Sequence, residues 1–262
     1  MTTVLAALDN SLAGNPVLVT ARALARVLGA RVGAIHVSAD HDGTARNVAE
    51  AAGVPLRIVR GPVVDRLVEA GRDEDVTAVV IGARATPSGR RPLGSTAFAV
   101  ATSLLKPVVV VPPDAHVVPE FHRILVPLEG TTSTSLAPRS IVELGRSAKL
   151  DVIALHVHEE EEIPAFTDQP QHEDDAWTRE FLARYCPWGI GVVRLERRIG
   201  RREELVPLVA EQTHSDLIAL GWAQQLSPGR APVVRAALEH SRVPVMLVPV
   251  HVPAEVREGA RQ

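Results

Sequence analysis

The residues best placed to do chemistry lie in one loop. Gly82-Ala83-Arg84-Ala85-Thr86-Pro87-Ser88-Gly89-Arg90-Arg91-Pro92-Leu93-Gly94-Ser95-Thr96 follows the apolar run Val79-Val80-Ile81 and opens a stretch of helical pattern. Glycines let backbone N–H groups approach an anion closely. Gly94-Ser95-Thr96 stands at the start of the expected helix, where unpaired N–H groups and the helix dipole favour phosphate. Arg84, Arg90 and Arg91 add positive charge. The chemistry on offer is the holding of a phosphate-bearing ligand. The spacing is neither G-x-G-x-x-G nor G-x-x-x-x-G-K-[ST]. A plainer reading stays open: Ser95 and Thr96 as ordinary helix caps and the arginines as a solvated face.

A second group of reactive side chains lies further on. His156 and His158 share one face of an expected strand, and His172 with Glu173 follow after the acidic run Glu159 to Glu162. A metal site could be drawn from these four. They straddle a loop, however, and no tight H-x-x-x-H spacing joins them, so an acidic solvated loop is the better reading and no metal site is expected. Trp177, Phe181 and Tyr185 recur at i, i+4 and i+8, which sets them on one helix face. Core packing explains such a stripe better than a cofactor wall. No G-x-S-x-G elbow, no H-E-x-x-H and no base beside a nucleophile is present, so the chain is not expected to be an enzyme, weak hydrolysis of a phosphate-bearing ligand aside.

These residues need elements to position them, and the elements come as a repeat. Thr3-Val4-Leu5-Ala6-Ala7-Leu8-Asp9 matches Arg123-Ile124-Leu125-Val126-Pro127-Leu128-Glu129, and Ile35-His36-Val37 matches Leu155-His156-Val157 at the same offset of 120. Val79-Val80-Ile81-Gly82 matches Ile218-Ala219-Leu220-Gly221 at 139, and the run after Pro107 matches the run after Pro244 at 137. The second copy has therefore gained residues in its middle. Continuous runs of Val, Ile, Leu and Ala suit parallel strands buried on both faces. Strands are expected near 3–9, 32–38, 55–60, 77–82 and 107–112, then 122–128, 150–157, 192–196, 216–221 and 244–249. Helices are expected near 13–29, 44–52, 62–73 and 94–105. The fold class is α/β: two tandem doubly wound domains, each a five-stranded parallel sheet with helices on both faces. The expected domains are 1–112, with the candidate nucleotide site, and 122–250, with an inserted segment near 159–177. A linker at 113–121 joins them, and 251–262 forms a C-terminal tail.

Composition removes several functions. The 262 residues are 46% hydrophobic and 23% charged, with a formal net charge of -3. That balance gives no reason to expect nucleic acid or an anionic membrane as partner. Cys186 is the single cysteine and has no internal partner for a disulfide, which suits a reducing compartment. MTTVLAALDNS carries no basic segment ahead of its apolar run, and no run approaches a membrane span, so a cytoplasmic location is expected.

The strand ending in Asp9, the Ile35-His36-Val37 run and the Gly82–Thr96 loop together resemble the universal stress protein family in its tandem form. The resemblance covers nearly the whole chain. The ATP-binding branch of that family carries G-x2-G-x9-G-[ST] after its fourth strand. Gly82 matches the first glycine and Gly94-Ser95 the last pair. Ala85 stands at the second glycine, and Thr86 to Leu93 form a spacer of eight rather than nine, with Gly89 as a flexible position inside it. The resemblance implies that Asp9 faces the nucleoside and that the backbone near Val37 addresses the adenine. It implies further that Gly82, Gly94, Ser95 and Thr96 surround the phosphates, with Arg84 and Gly89 beside them. ATP or AMP is the implied ligand, with Mg²⁺ accompanying ATP. From the residues alone, Asp9 serves equally well as a cap of the first helix.

In the second copy the Gly-Ser pair is missing, Glu129 replaces the aspartate and Trp222 follows the strand-four glycine. That copy is expected to be structural, with Trp222 filling the former base site. The resemblance also implies pairing of the two domains inside the chain through the strands after Pro107 and Pro244. A homodimer and an unidentified protein partner complete the expected contacts. The expected function is a nucleotide-binding stress or signalling protein. The alternatives are a scaffold that binds partners without nucleotide, which Ala85 and the short spacer favour, and a slow nucleotide hydrolase.

Overall fold

The computed structural model describes residues 1–11, 14–38, 43–83, 94–128, 142–145, 147–158, 170–186, 193–224 and 231–250. The first half runs β1 (Thr3–Leu8), α1 (Gly14–Leu28), β2 (Arg31–Ser38), α2 (Gly43–Ala51), β3 (Leu56–Arg60), α3 (Val63–Arg72), β4 (Val76–Gly82), α4 (Ser95–Ser103) and β5 (Val108–Val111). The second runs β6 (Arg123–Pro127), β7 (Asp151–His158), α5 (Pro170–Tyr185), β8 (Val193–Ile199), α6 (Arg202–Gln212), β9 (Leu217–Trp222), α7 (Pro232–His240) and β10 (Val245–Pro249).

The central strands β1, β4, β5 and β9 are buried nearly throughout because both faces of the sheet are covered, whereas the outer strands β3 and β8 carry arginines. Along β1, Val4, Ala6 and Leu8 enter one layer, with α1, α2 and α5. Leu5 and Ala7 enter the other, with α3, α4, α6 and α7. Helix α1 buries Val17, Leu18, Ala21, Leu24 and Ala25 on one stripe and stops at Gly29, whose φ of +61° closes the helix in a conformation glycine adopts without strain.

The two half-sheets join into one sheet of ten strands in the order β3-β2-β1-β4-β5-β10-β9-β6-β7-β8. Every neighbouring pair is parallel except β5 with β10, which is antiparallel. Val108, Val109 and Val110 stand opposite Leu247, Met246 and Val245, all buried. Equivalent strands meeting edge to edge about a two-fold axis perpendicular to the sheet run in opposite directions. The junction also closes two edges that would otherwise be open to pairing with other chains. Residues 113–121 are packed down rather than loose. Phe121 is buried on the α1 face, the His116 N–H donates to the Arg242 carbonyl at 2.7 Å, and Arg26 donates to the Pro119 carbonyl at 3.1 Å.

Candidate functional site

Strand order reverses between β1 and β4, and connections leave the two strands toward opposite faces. A crevice opens at their carboxyl ends, as the topology requires. It holds a cavity of about 350 Å³, within the range of small-molecule sites. Asp9, Val37 and Gly82 reach it from the strand ends, and Gly94, Ser95 and Thr96 from the start of α4. Six of the eight residues chosen from the sequence thus line one cavity. Arg84 and Gly89 lie outside the described residues.

The chain geometry explains the convergence. The Ala83 N–H donates to the Val111 carbonyl at 2.7 Å, which holds the exit of β4 against β5. The Gly94 N–H donates back to the Ala83 carbonyl at 3.0 Å, so the loop ends beside the strand it left. Helix α4 therefore starts at the cavity rim. Its N-cap is Gly94, which has no side chain with which to cap the first turn. That leaves the positive end of the helix turned to the crevice without an internal counter-charge from the cap residue.

Asp9 is exposed, and its Oδ1 accepts from both the N–H and the Oγ–H of Ser11, at 2.9 and 2.5 Å. These two bonds make a local turn; Leu12, near which Asp9 would cap the first helix, lies outside the described residues. The capping residue here is Asn10, whose Oδ1 accepts the Ala45 N–H at the start of α2 at 3.2 Å. Sequence reading missed Asn10, since its partner lies 35 residues away. His36, buried, lines the same cavity and donates its Nδ1–H to the Leu8 carbonyl at 2.9 Å.

The universal stress protein family model matches residues 40–112 and 120–249. This chain belongs to the universal stress protein family. Two solved structures share its fold along nearly the full length. A universal stress protein from Archaeoglobus fulgidus DSM 4304 is 16% identical, with a TM-score of 0.66 over 95% of this chain and 96% of that one. A protein assigned to the same family from Pseudomonas aeruginosa UCBPP-PA14 is 14% identical, with a TM-score of 0.62 over 100% of this chain and 98% of that one. No curated protein matches the chain in sequence.

The two universal stress domains differ at the position after the strand-four glycine. In the first, Ala83 is small and lines the cavity. In the second, Trp222 takes that place, on the same face of the sheet, and is 3% exposed. It packs in the layer of α6 and α7, with Leu155, Val157 and Val233. Its enclosed Nε1–H meets no acceptor among the described residues. Glu129 lies outside the described residues.

His156 repeats the role of His36, its Nδ1–H donating to the Leu128 carbonyl at 3.0 Å. It also joins an aromatic cluster. His158 meets it edge-on at 4.4 Å, Phe181 lies 4.4 Å away, and Trp177 stacks on Phe181 at 4.8 Å. The Arg197 guanidinium covers the Trp177 ring at 4.5 Å. Packing on the sheet is thus what Trp177 and Phe181 do, and the side chain of Tyr185 lies outside the described residues. The side chains of His172 and Glu173 lie outside the described residues, and no cluster of three metal-ligating side chains occurs among the described ones. No helix among the described residues is long and apolar enough to cross a membrane.

Proposed function

We propose that this universal stress protein binds one adenine nucleotide, ATP or AMP, in the cavity of its first domain, and that its second domain is structural. The observation that carries the reading is the convergence of Gly82 and the Gly94-Ser95-Thr96 helix start on the cavity that Asp9 and Val37 line. A helix start capped by glycine suits a phosphate group, and an apolar crevice floored by Ala7, Val17 and Ile81 suits a base. Asp9 at the rim offers a carboxylate to ribose hydroxyls. Arg84 and Gly89 complete the phosphate side in this reading. Mg²⁺ would enter only with ATP, held chiefly by the phosphates.

The protein acts in the cytoplasm as a stress or signalling component, by binding rather than by turnover, and passes its state to a protein partner. Ala85, in place of the family's second glycine, favours the competing reading of a scaffold without nucleotide. Mass analysis of small molecules released by heat from the purified protein separates the two. An adenine nucleotide near one equivalent supports the binder. Its absence, together with no heat of binding for added ATP or AMP, supports the scaffold.

A further inference from the structure

Helix α4, whose first residues line the cavity, is held at its other end by the second domain. Gln224 follows Trp222 by two residues, in the loop that leaves β9. Its Nε2 lies 2.7 Å from the Leu104 carbonyl, 3.3 Å from that of Thr102 and 3.5 Å from that of Ala101. Three carbonyl oxygens around one atom require a donor, so the amide must present its NH₂ group there. Ala101 and Thr102 belong to the last turn of α4 and Leu104 is its C-cap, so no N–H within the helix satisfies these carbonyls. On the other side, Leu104 closes over Gly71 of α3. A Cβ at Gly71 would come within 2.8 Å of Leu104 Cδ1.

A second observation concerns the backbone. Gln224 has φ of +58°, in the left-handed region that a residue with a side chain adopts only when its surroundings hold it there. In the repeat, Gln224 corresponds to Ala85, whose side chain has nothing to donate. The side chain at the corresponding position therefore cannot make this contact.

We infer that Gln224 is a positioning residue for the nucleotide site. It fixes the C-terminal end of α4, and through the nine-residue helix the place of Gly94, Ser95 and Thr96 at the cavity. The second domain thereby regulates a site to which it contributes no lining residue among the described ones. The inference rests on the nucleotide reading. By linkage the coupling runs both ways: nucleotide held at the start of α4 must tighten the Gln224 contact.

The test uses the full chain and two substitutions of similar length. Gln224→Glu sets a carboxylate against three carbonyl oxygens at the negative end of a helix, and Gln224→Lys restores a donor with a favourable charge. Titration with ATP and AMP is read beside hydrogen exchange of the α4 amides. We expect Gln224→Glu to speed exchange near the end of α4 about tenfold and weaken nucleotide binding about three- to tenfold. Gln224→Lys should stay near wild type in both. Added nucleotide should slow exchange at residues 222–224 in the wild-type chain. Wild-type binding with unchanged affinity in Gln224→Glu overturns the inference and leaves the nucleotide reading standing. No uptake by the wild-type chain overturns both.

Discussion

His36 donates its Nδ1–H to the carbonyl of Leu8 at 2.9 Å, tying β2 to the end of β1 directly beneath Asp9. The same bond recurs between His156 and Leu128 in the second domain at 3.0 Å. A repeated histidine therefore sets where the first strand of each domain ends, and in the first domain it does so at the cavity wall. Removing the imidazole leaves a carbonyl short of its donor. His36→Ala should destabilise the protein by about 1–3 kcal/mol in urea unfolding and weaken nucleotide binding. His156→Ala also breaks up the cluster with Trp177 and Phe181, so its loss should be larger, about 2–4 kcal/mol, with nucleotide affinity unchanged.

Trp222 is buried at the place that Ala83 leaves open in the first domain. Trp222→Ala should cost about 3–5 kcal/mol if the vacated space stays empty. With Trp177→Phe and Trp188→Phe in place, Trp222 is the sole tryptophan. Its emission should be blue and poorly quenched by acrylamide. A red, readily quenched emission would mean that the indole is exposed in solution.

How much of this was legible in the sequence depends on the range of the interaction. The strands were, because Val79-Val80-Ile81 and Val108 to Val111 are apolar without alternation, as strands covered on both sides must be. The seam followed from the matching runs after Pro107 and Pro244 once the family's pairing was brought in. Gly94, Ser95 and Thr96 stood out as a helix start after a buried strand, and Gly82 entered through the family's motif. Asn10 and Gln224 did not stand out. Each is an ordinary polar residue whose partner is supplied by the fold, 35 residues away for Asn10 and 120 for the nearest carbonyl of Gln224. The matched histidines were visible as a repeat, but only the strand pairing reveals the carbonyl each one holds. Asp9 was open to two readings, and the structure adds its local bonds to Ser11 and its place at the cavity.

Glu203 opens α6, where its carboxylate accepts its own backbone N–H, with Arg201 beside it. The backbone bond first, and the guanidinium after it, hold the carboxyl below its ordinary value of 4.5. A depressed carboxyl contributes stability that is present above the ordinary value and lost as pH falls through the depressed one. Thermal melts of wild type and Glu203→Gln should therefore differ at neutral pH and converge in acid. A gap that persists unchanged at low pH would show that the ionised carboxylate is not the source.

The central claim is one nucleotide site per chain, in the first domain. Calorimetric titration of the full chain with ATP and with AMP tests it most directly, beside the double substitution Gly94→Asp with Ser95→Asp, which sets two negative charges at the start of α4. The account predicts a stoichiometry near one for wild type and loss of binding in the double variant while the fold is retained by circular dichroism. A stoichiometry of two, no binding to the wild-type chain, or undiminished binding in the variant would contradict it.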